Sequence, residues 1–148
     1  IPSVAKKMKI SSTPGLTDLL RGETTVDLRQ LKSAYLPNLH IMPSGVLPPN
    51  PSELLGSKRM ESVLKSLSSH FDFIIVDLPP VTTVPDASIM SKYADGFLLV
   101  VRQGQSSHRK VAQTLKQMQM VKANVLGFVA TCVEVQSGSY YDYQYGER

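Results

Sequence analysis

Cysteine is almost absent from this sequence. A single thiol, Cys132, stands among 148 residues, so no disulfide can form within the chain, which suits a cytoplasmic setting. Cys132 falls in an apolar, strand-like run, where most such cysteines fill a core. No apolar run approaches the ~20 residues that a membrane-spanning helix requires, so any membrane association must come from a partner or from sequence outside these residues. Histidines are few, and His40, His70 and His108 show no metal-ligand spacing with one another or with Cys132. The net charge is only +4, and it is uneven: residues 1–59 hold eight Lys and Arg against four Asp and Glu, whereas residues 60–148 balance at eight and eight. The excess includes Lys6, Lys7 and Lys9. No aromatics are interleaved with these charges as a nucleic-acid groove would need, so no nucleic-acid partner is expected.

What remains, 42% hydrophobic and 19% charged residues, is enough for one globular domain with a real core. Ser3 to Ile10 reads as a short basic helix and Ser11 to Gly15 as a turn. From Leu16 a helix carries Leu16, Leu19 and Leu20 on one side and stops at Gly22, a residue suited to the left-handed position after a helix. Leu39 to Met42 is a short strand candidate. The stiff loop Gly45-Val46-Leu47-Pro48-Pro49-Asn50-Pro51 follows, with Asn50 as an N-cap, Pro51 at the first helical position and Glu53 completing a capping box. The helix beyond it buries Met60, Val63, Leu64 and Leu67 at helical spacing.

The chain is organised around Phe71-Asp72-Phe73-Ile74-Ile75-Val76-Asp77-Leu78-Pro79-Pro80. Its run of β-branched and aromatic residues predicts a strand buried on both faces of a parallel sheet. Asp77 arrives where the two prolines must end that strand. A carboxylate at the C-terminal edge of a parallel strand sits where open α/β sheets bind ligands, the geometry of a Walker B aspartate serving the Mg²⁺ of a nucleotide. A turn-initiating Asp before prolines with no ligand near it accounts for the motif alone equally well.

After the linker Val81 to Pro85, a helix is expected from Asp86 to about Ala94, with Asp86 near its N-terminus as a cap. Phe97 to Val101 is a second apolar strand. A helix burying Val111, Leu115, Met118 and Val121 follows it, and Val125 to Val133 is a third strand. This alternation predicts an α/β fold with a parallel, doubly wound sheet flanked by helices over residues 1–135. Residues 136–148 read as a flexible tail holding Tyr140, Tyr141, Tyr143 and Tyr145 with no aliphatic anchor. Such a cluster is open to two readings, a loosely packed or partner-binding aromatic tail and a set of phosphoryl acceptors.

Together, Gly45 to Pro51 with Glu53-Leu54-Leu55, Phe71 to Pro80, Asp86-Ala87 and the Tyr-rich end resemble the cytoplasmic kinase domain of bacterial tyrosine kinases, the autokinases of capsular and exopolysaccharide synthesis and export. The resemblance runs over essentially the whole chain. It implies a P-loop NTPase fold, ATP and Mg²⁺ as cofactors, and Asp77 as the Walker B carboxylate, assisting Mg²⁺ coordination. Asp77, Pro79 and Thr131 then become the nucleotide-site residues, with Tyr140, Tyr141, Tyr143 and Tyr145 as phosphoacceptors presented to a neighbouring subunit of a homo-oligomer. The implied partners are a transmembrane polysaccharide co-polymerase, fused or separate, and a tyrosine phosphatase. The implied location is the inner face of the cell membrane.

The sequence departs from the family at two points. The Gly-rich phosphate loop with its Lys and Ser/Thr is not among these residues, nor is the second Walker A-like aspartate motif. Ile1-Pro2 looks like the residues just after that motif, so the sequence is expected to be the C-terminal portion of a longer kinase domain, inactive by itself and with apolar sheet edges left exposed. Thr131, in Gly127-Phe128-Val129-Ala130-Thr131, stands where the family commonly has an Asn contributing to adenine recognition, and a hydroxyl offers no amide. Two other classes share parts of the pattern. A partition-type positioning ATPase has the Asp-x-Pro strand end but no use for a tyrosine cluster, and a non-catalytic regulator of polysaccharide synthesis would bind no ATP.

Overall fold

The computed structural model describes residues 4–24, 36–81 and 85–134. Among these the order is α1 (Val4–Lys7), α2 (Leu16–Arg21), α3 (Pro51–Leu55), α4 (Lys58–Ser68), α5 (Asp86–Met90), β1 (Phe97–Arg102), α6 (His108–Met120) and β2 (Val125–Thr131). The protein is α/β with a small parallel sheet. Its contacts separate into two compact units, residues 1–93 and 94–148.

The first unit is helical among its described residues. Its core is built from Leu19 and Leu20 of α2, Met60 of α4, and Ala87 and Met90 of α5. Each large side chain removed from water there is worth roughly 1.5–3 kcal/mol. The helix expected from Leu16 forms and ends as foreseen: Gly22 adopts φ 84°, its N–H reaches Leu19 O at 3.1 Å, and the Glu23 N–H reaches Asp18 O at 3.0 Å. This is the Schellman arrangement that glycine permits. Arg59 completes that end from α4, its Nε donating to Leu19 O at 2.8 Å.

Four expectations change here. The single helix after Pro51 is two helices, α3 and α4, because Gly56 and Ser57 interrupt it. The Ser57 hydroxyl accepts from Met60 N–H at 3.2 Å and starts α4 afresh. Asn50 precedes α3, but its side chain makes no cap bond to backbone and donates instead to the Glu53 carboxylate. Of the strand over Leu39 to Met42, only an isolated bridge at His40 remains among the described residues. Most consequential is the expected central strand. Residues 71–80 join no sheet among the described residues, and Phe73 and Ile75 are 88% and 93% exposed. The residue types suit a buried strand, but a strand needs a hydrogen-bonded neighbour, and none lies beside it among the described residues.

The second unit is a βαβ element. β1 and β2 pair in parallel, Leu99 with Phe128, Val100 with Val129, Val101 with Ala130 and Arg102 with Thr131. Phe97 N–H donates to Asn124 O at 2.8 Å and Gln103 N–H to Thr131 O at 3.0 Å, which extends the pairing beyond both ends of the strands. The connecting helix α6 starts on Ser107, whose hydroxyl accepts from Lys110 N–H, and its Met118 is fully buried. Leu98, Val100 and Val129 remain exposed. Cys132 is not core filler: β2 ends at Thr131, and Cys132 lies exposed just beyond it at φ 55°.

Candidate functional site

Asp77 is exposed and makes no hydrogen bond or ion pair among the described residues. Pro79 and Pro80 are exposed beside it, and Leu78 is half-buried. The chain reaches Asp77 from a firm anchor. Phe71 N–H donates to Leu67 O at 3.1 Å at the end of α4, and the Phe71 ring meets the His40 ring edge-on with centroids 4.9 Å apart. Between Asp72 and Val81 no hydrogen bond is recorded among the described residues.

Downstream the chain is caught again at Asp86. Its side chain does not cap α5, whose N-cap position is Pro85. Instead the Asp86 carboxylate accepts from the Ser52 hydroxyl of α3 at 3.0 Å, which ties two motifs 34 residues apart. Ala87 and Met90, on the same helix, are 2% exposed.

The loop that leads into α3 is fixed by a clasp that sequence reasoning missed. Leu16 N–H donates to Pro43 O and Thr17 N–H to Ser44 O, each at 2.9 Å. The Thr17 hydroxyl bridges Ser44 O at 2.8 Å and Val46 O at 2.7 Å. Asp18, 7% exposed, accepts from Gly15 N–H at 2.7 Å. The two glycines are required by closeness: a Cβ on Gly15 would lie 2.2 Å from Gly45 N, and one on Gly45, itself at φ +80°, 2.5 Å from Asp18 Oδ2. The one sequence signal was an Asp amid the leucines of α2.

Thr131 ends β2, half-buried, and its carbonyl accepts from Gln103. Asp77 and Pro79 therefore belong to the first unit and Thr131 to the second. Tyr140, Tyr141, Tyr143 and Tyr145, with the whole tail, lie outside the described residues. Among the described residues no three His, Cys, Asp or Glu side chains gather as a metal cluster, and no helix is long and apolar enough to cross a membrane. The metal donor on offer is thus a lone hard oxygen donor, a donor type that Mg²⁺ takes one or two at a time, filling its remaining positions with water and phosphate oxygens.

Against known proteins, the chain is 35% identical over 136 residues to the tyrosine-protein kinase CpsD of Streptococcus agalactiae, covering 90% of this chain and 58% of that protein. It is 30% identical over 147 residues to the tyrosine-protein kinase YwqD of Bacillus subtilis, covering 99% of this chain and 61% of that protein. The chain is homologous to part of the bacterial tyrosine-protein kinases. The fold agrees with that kinase relationship: the crystal structure of the VpsO kinase domain superposes with a TM-score of 0.82 at 26% identity, covering 90% of this chain and 66% of that one. The chain thus spans about 60% of the length of these two kinases, and only 18% of the tyrosine-protein kinase ptk of Acinetobacter johnsonii, to which it is 32% identical over 135 residues. No family model matches it.

Proposed function

We propose that the protein to which this chain belongs is an ATP-dependent protein-tyrosine kinase that phosphorylates the tail tyrosines of a neighbouring copy and so regulates the synthesis, chain length and export of a capsular or exopolysaccharide. The observation that carries this reading is Asp77, an exposed carboxylate just before two prolines and unpaired among the described residues, in a chain homologous to tyrosine kinases over nine-tenths of its length. Asp77 holds Mg²⁺ through water, and Pro79 borders the nucleotide. When bound, Mg²⁺ neutralises charge on the phosphates. The work of this chain's own residues is positional: Asp77 fixes where the metal sits, and Tyr140, Tyr141, Tyr143 and Tyr145 bring phenol oxygens into line with the γ-phosphate. A tail with four acceptors lets each take its turn. Every phosphate added brings about −1.5 to −2 charge, so a filled cluster repels itself and loosens an assembly of copies.

The same reading gives the protein a transmembrane polysaccharide co-polymerase as partner, a tyrosine phosphatase to reset the tail, and a place at the inner face of the cell membrane. The test is labelling of the full-length protein with radioactive ATP. Asp77→Ala should lower incorporation at least about a hundred-fold, the scale of losing one preorganised electrostatic contact. Undiminished labelling would remove Asp77 from the reaction. Deleting residues 136–148 should abolish incorporation; persistent ATP turnover with no acceptor in the tail would point to a positioning ATPase.

A further inference from the structure

Asp77 sits in a run without hydrogen bonds of its own among the described residues. Its position therefore depends on where the chain is held on either side. The upstream hold is Phe71, on Leu67 and His40. Among the described residues the downstream side-chain hold is Asp86, nine residues on, whose carboxylate takes the Ser52 hydroxyl at 3.0 Å. We propose that Ser52 and Asp86 form a positioning pair that sets the reach of the Asp77 carboxylate toward its cation; this rests on the reading of Asp77 given above.

Three observations support it. Ser52 is itself firmly placed: Pro51 fixes the first residue of α3, Asn50 is bonded to Glu53, and the loop before them is locked by Thr17 on Ser44 and Val46. Asp86 is followed at once by buried Ala87, so the helix it opens is seated against the core and transmits little slack. Finally, an Asp in the first turn of a helix is ordinarily turned to that helix's own N–H groups. Here its carboxylate is directed to another helix, and α5 has no side-chain cap bond.

The pair acts at a distance, so its test must separate positioning from stability. In the full-length protein, binding of a fluorescent ATP analogue is followed across a Mg²⁺ titration for Ser52→Ala, Ser52→Thr, Asp86→Asn and the double variant Ser52→Ala/Asp86→Asn. Ser52→Ala should raise the Mg²⁺ concentration for half-maximal binding about ten-fold, the scale of one hydrogen bond to a charged group. Ser52→Thr, which keeps the hydroxyl, should restore it. The double variant should be no worse than Ser52→Ala alone, because both changes cut one link. Amide exchange of Ile89 and Ser91, whose N–H groups are hydrogen-bonded to Pro85 O and Ala87 O in α5, should quicken in Ser52→Ala without nucleotide.

A melting temperature that falls while the Mg²⁺ titration stays put would reduce the pair to a structural tie and overturn the proposal, as would additive effects in the double variant. Should the unmodified protein bind the analogue with no dependence on Mg²⁺, the reading of Asp77 itself fails. Asp77→Ala then matches the unmodified protein, which tells that failure apart.

Discussion

Two runs of this chain are nearly interchangeable in composition and opposite in structure. Phe73-Ile74-Ile75-Val76 and Phe97-Leu98-Leu99-Val100-Val101 both read as strands of a sheet interior. The second is one: α6 returns the chain so that β2 lies parallel beside it, and every residue from Leu98 to Arg102 has a partner in register. The first has no partner among the described residues, and two of its side chains stand about nine-tenths exposed. Hydrophobicity supplies the wish to be buried and β-branching the backbone preference, but the ladder decides whether a strand exists.

The sharpest way to break that comparison lies outside both runs, in the clasp between Gly15 and Gly45 in the first unit. Gly15→Ala sets a methyl against backbone at Gly45, and backbone cannot rotate away. A loss of about 3 kcal/mol is expected, the upper end for overpacking, read as an early urea midpoint. An unshifted midpoint would show that the clasp is soft. Next in size, Leu99→Ala in β1 should cost roughly 1–2 kcal/mol, a fraction of the cost at a fully buried leucine because Leu99 is half-buried. Ile75→Ala, at 93% exposure, should stay within about 0.5 kcal/mol in the chain of 148 residues. Equal costs at the two positions would mean that the 71–78 run is paired in solution. The smallest and most direct signal is amide exchange: Leu99 and Val101, on the side of β1 that faces β2, should be protected in the same chain and Phe73 to Val76 should exchange almost freely.

Much of this was legible in the residues. Gly22 announced a helix end, Pro51 a helix start, and the α6 stripe and its two flanking strands gave the βαβ element. Reading stopped where a partner lies far along the chain. Nothing near Asp86 reveals that a serine 34 residues earlier takes its carboxylate away from capping, and nothing near Gly15 reveals that Gly45 will press against it. The break between α3 and α4 was closer to hand. A Gly-Ser pair between two apolar stretches, with the serine three residues ahead of Met60, is a stop followed by a cap, and the long helical period beyond it concealed the pause. The site divides in the same way. Asp77 was singled out from local pattern and family resemblance, whereas the bonds that hold its surroundings are long-range.

The exposed sulfur at position 132 has a practical side. As the chain's sole thiol, standing one residue past Thr131 at the tip of β2, it accepts a single maleimide dye at a defined spot with no engineered cysteine. Fluorescence from that dye would test the proposed approach of a nucleotide to the strand end, and would do so even in variants unable to move a phosphate.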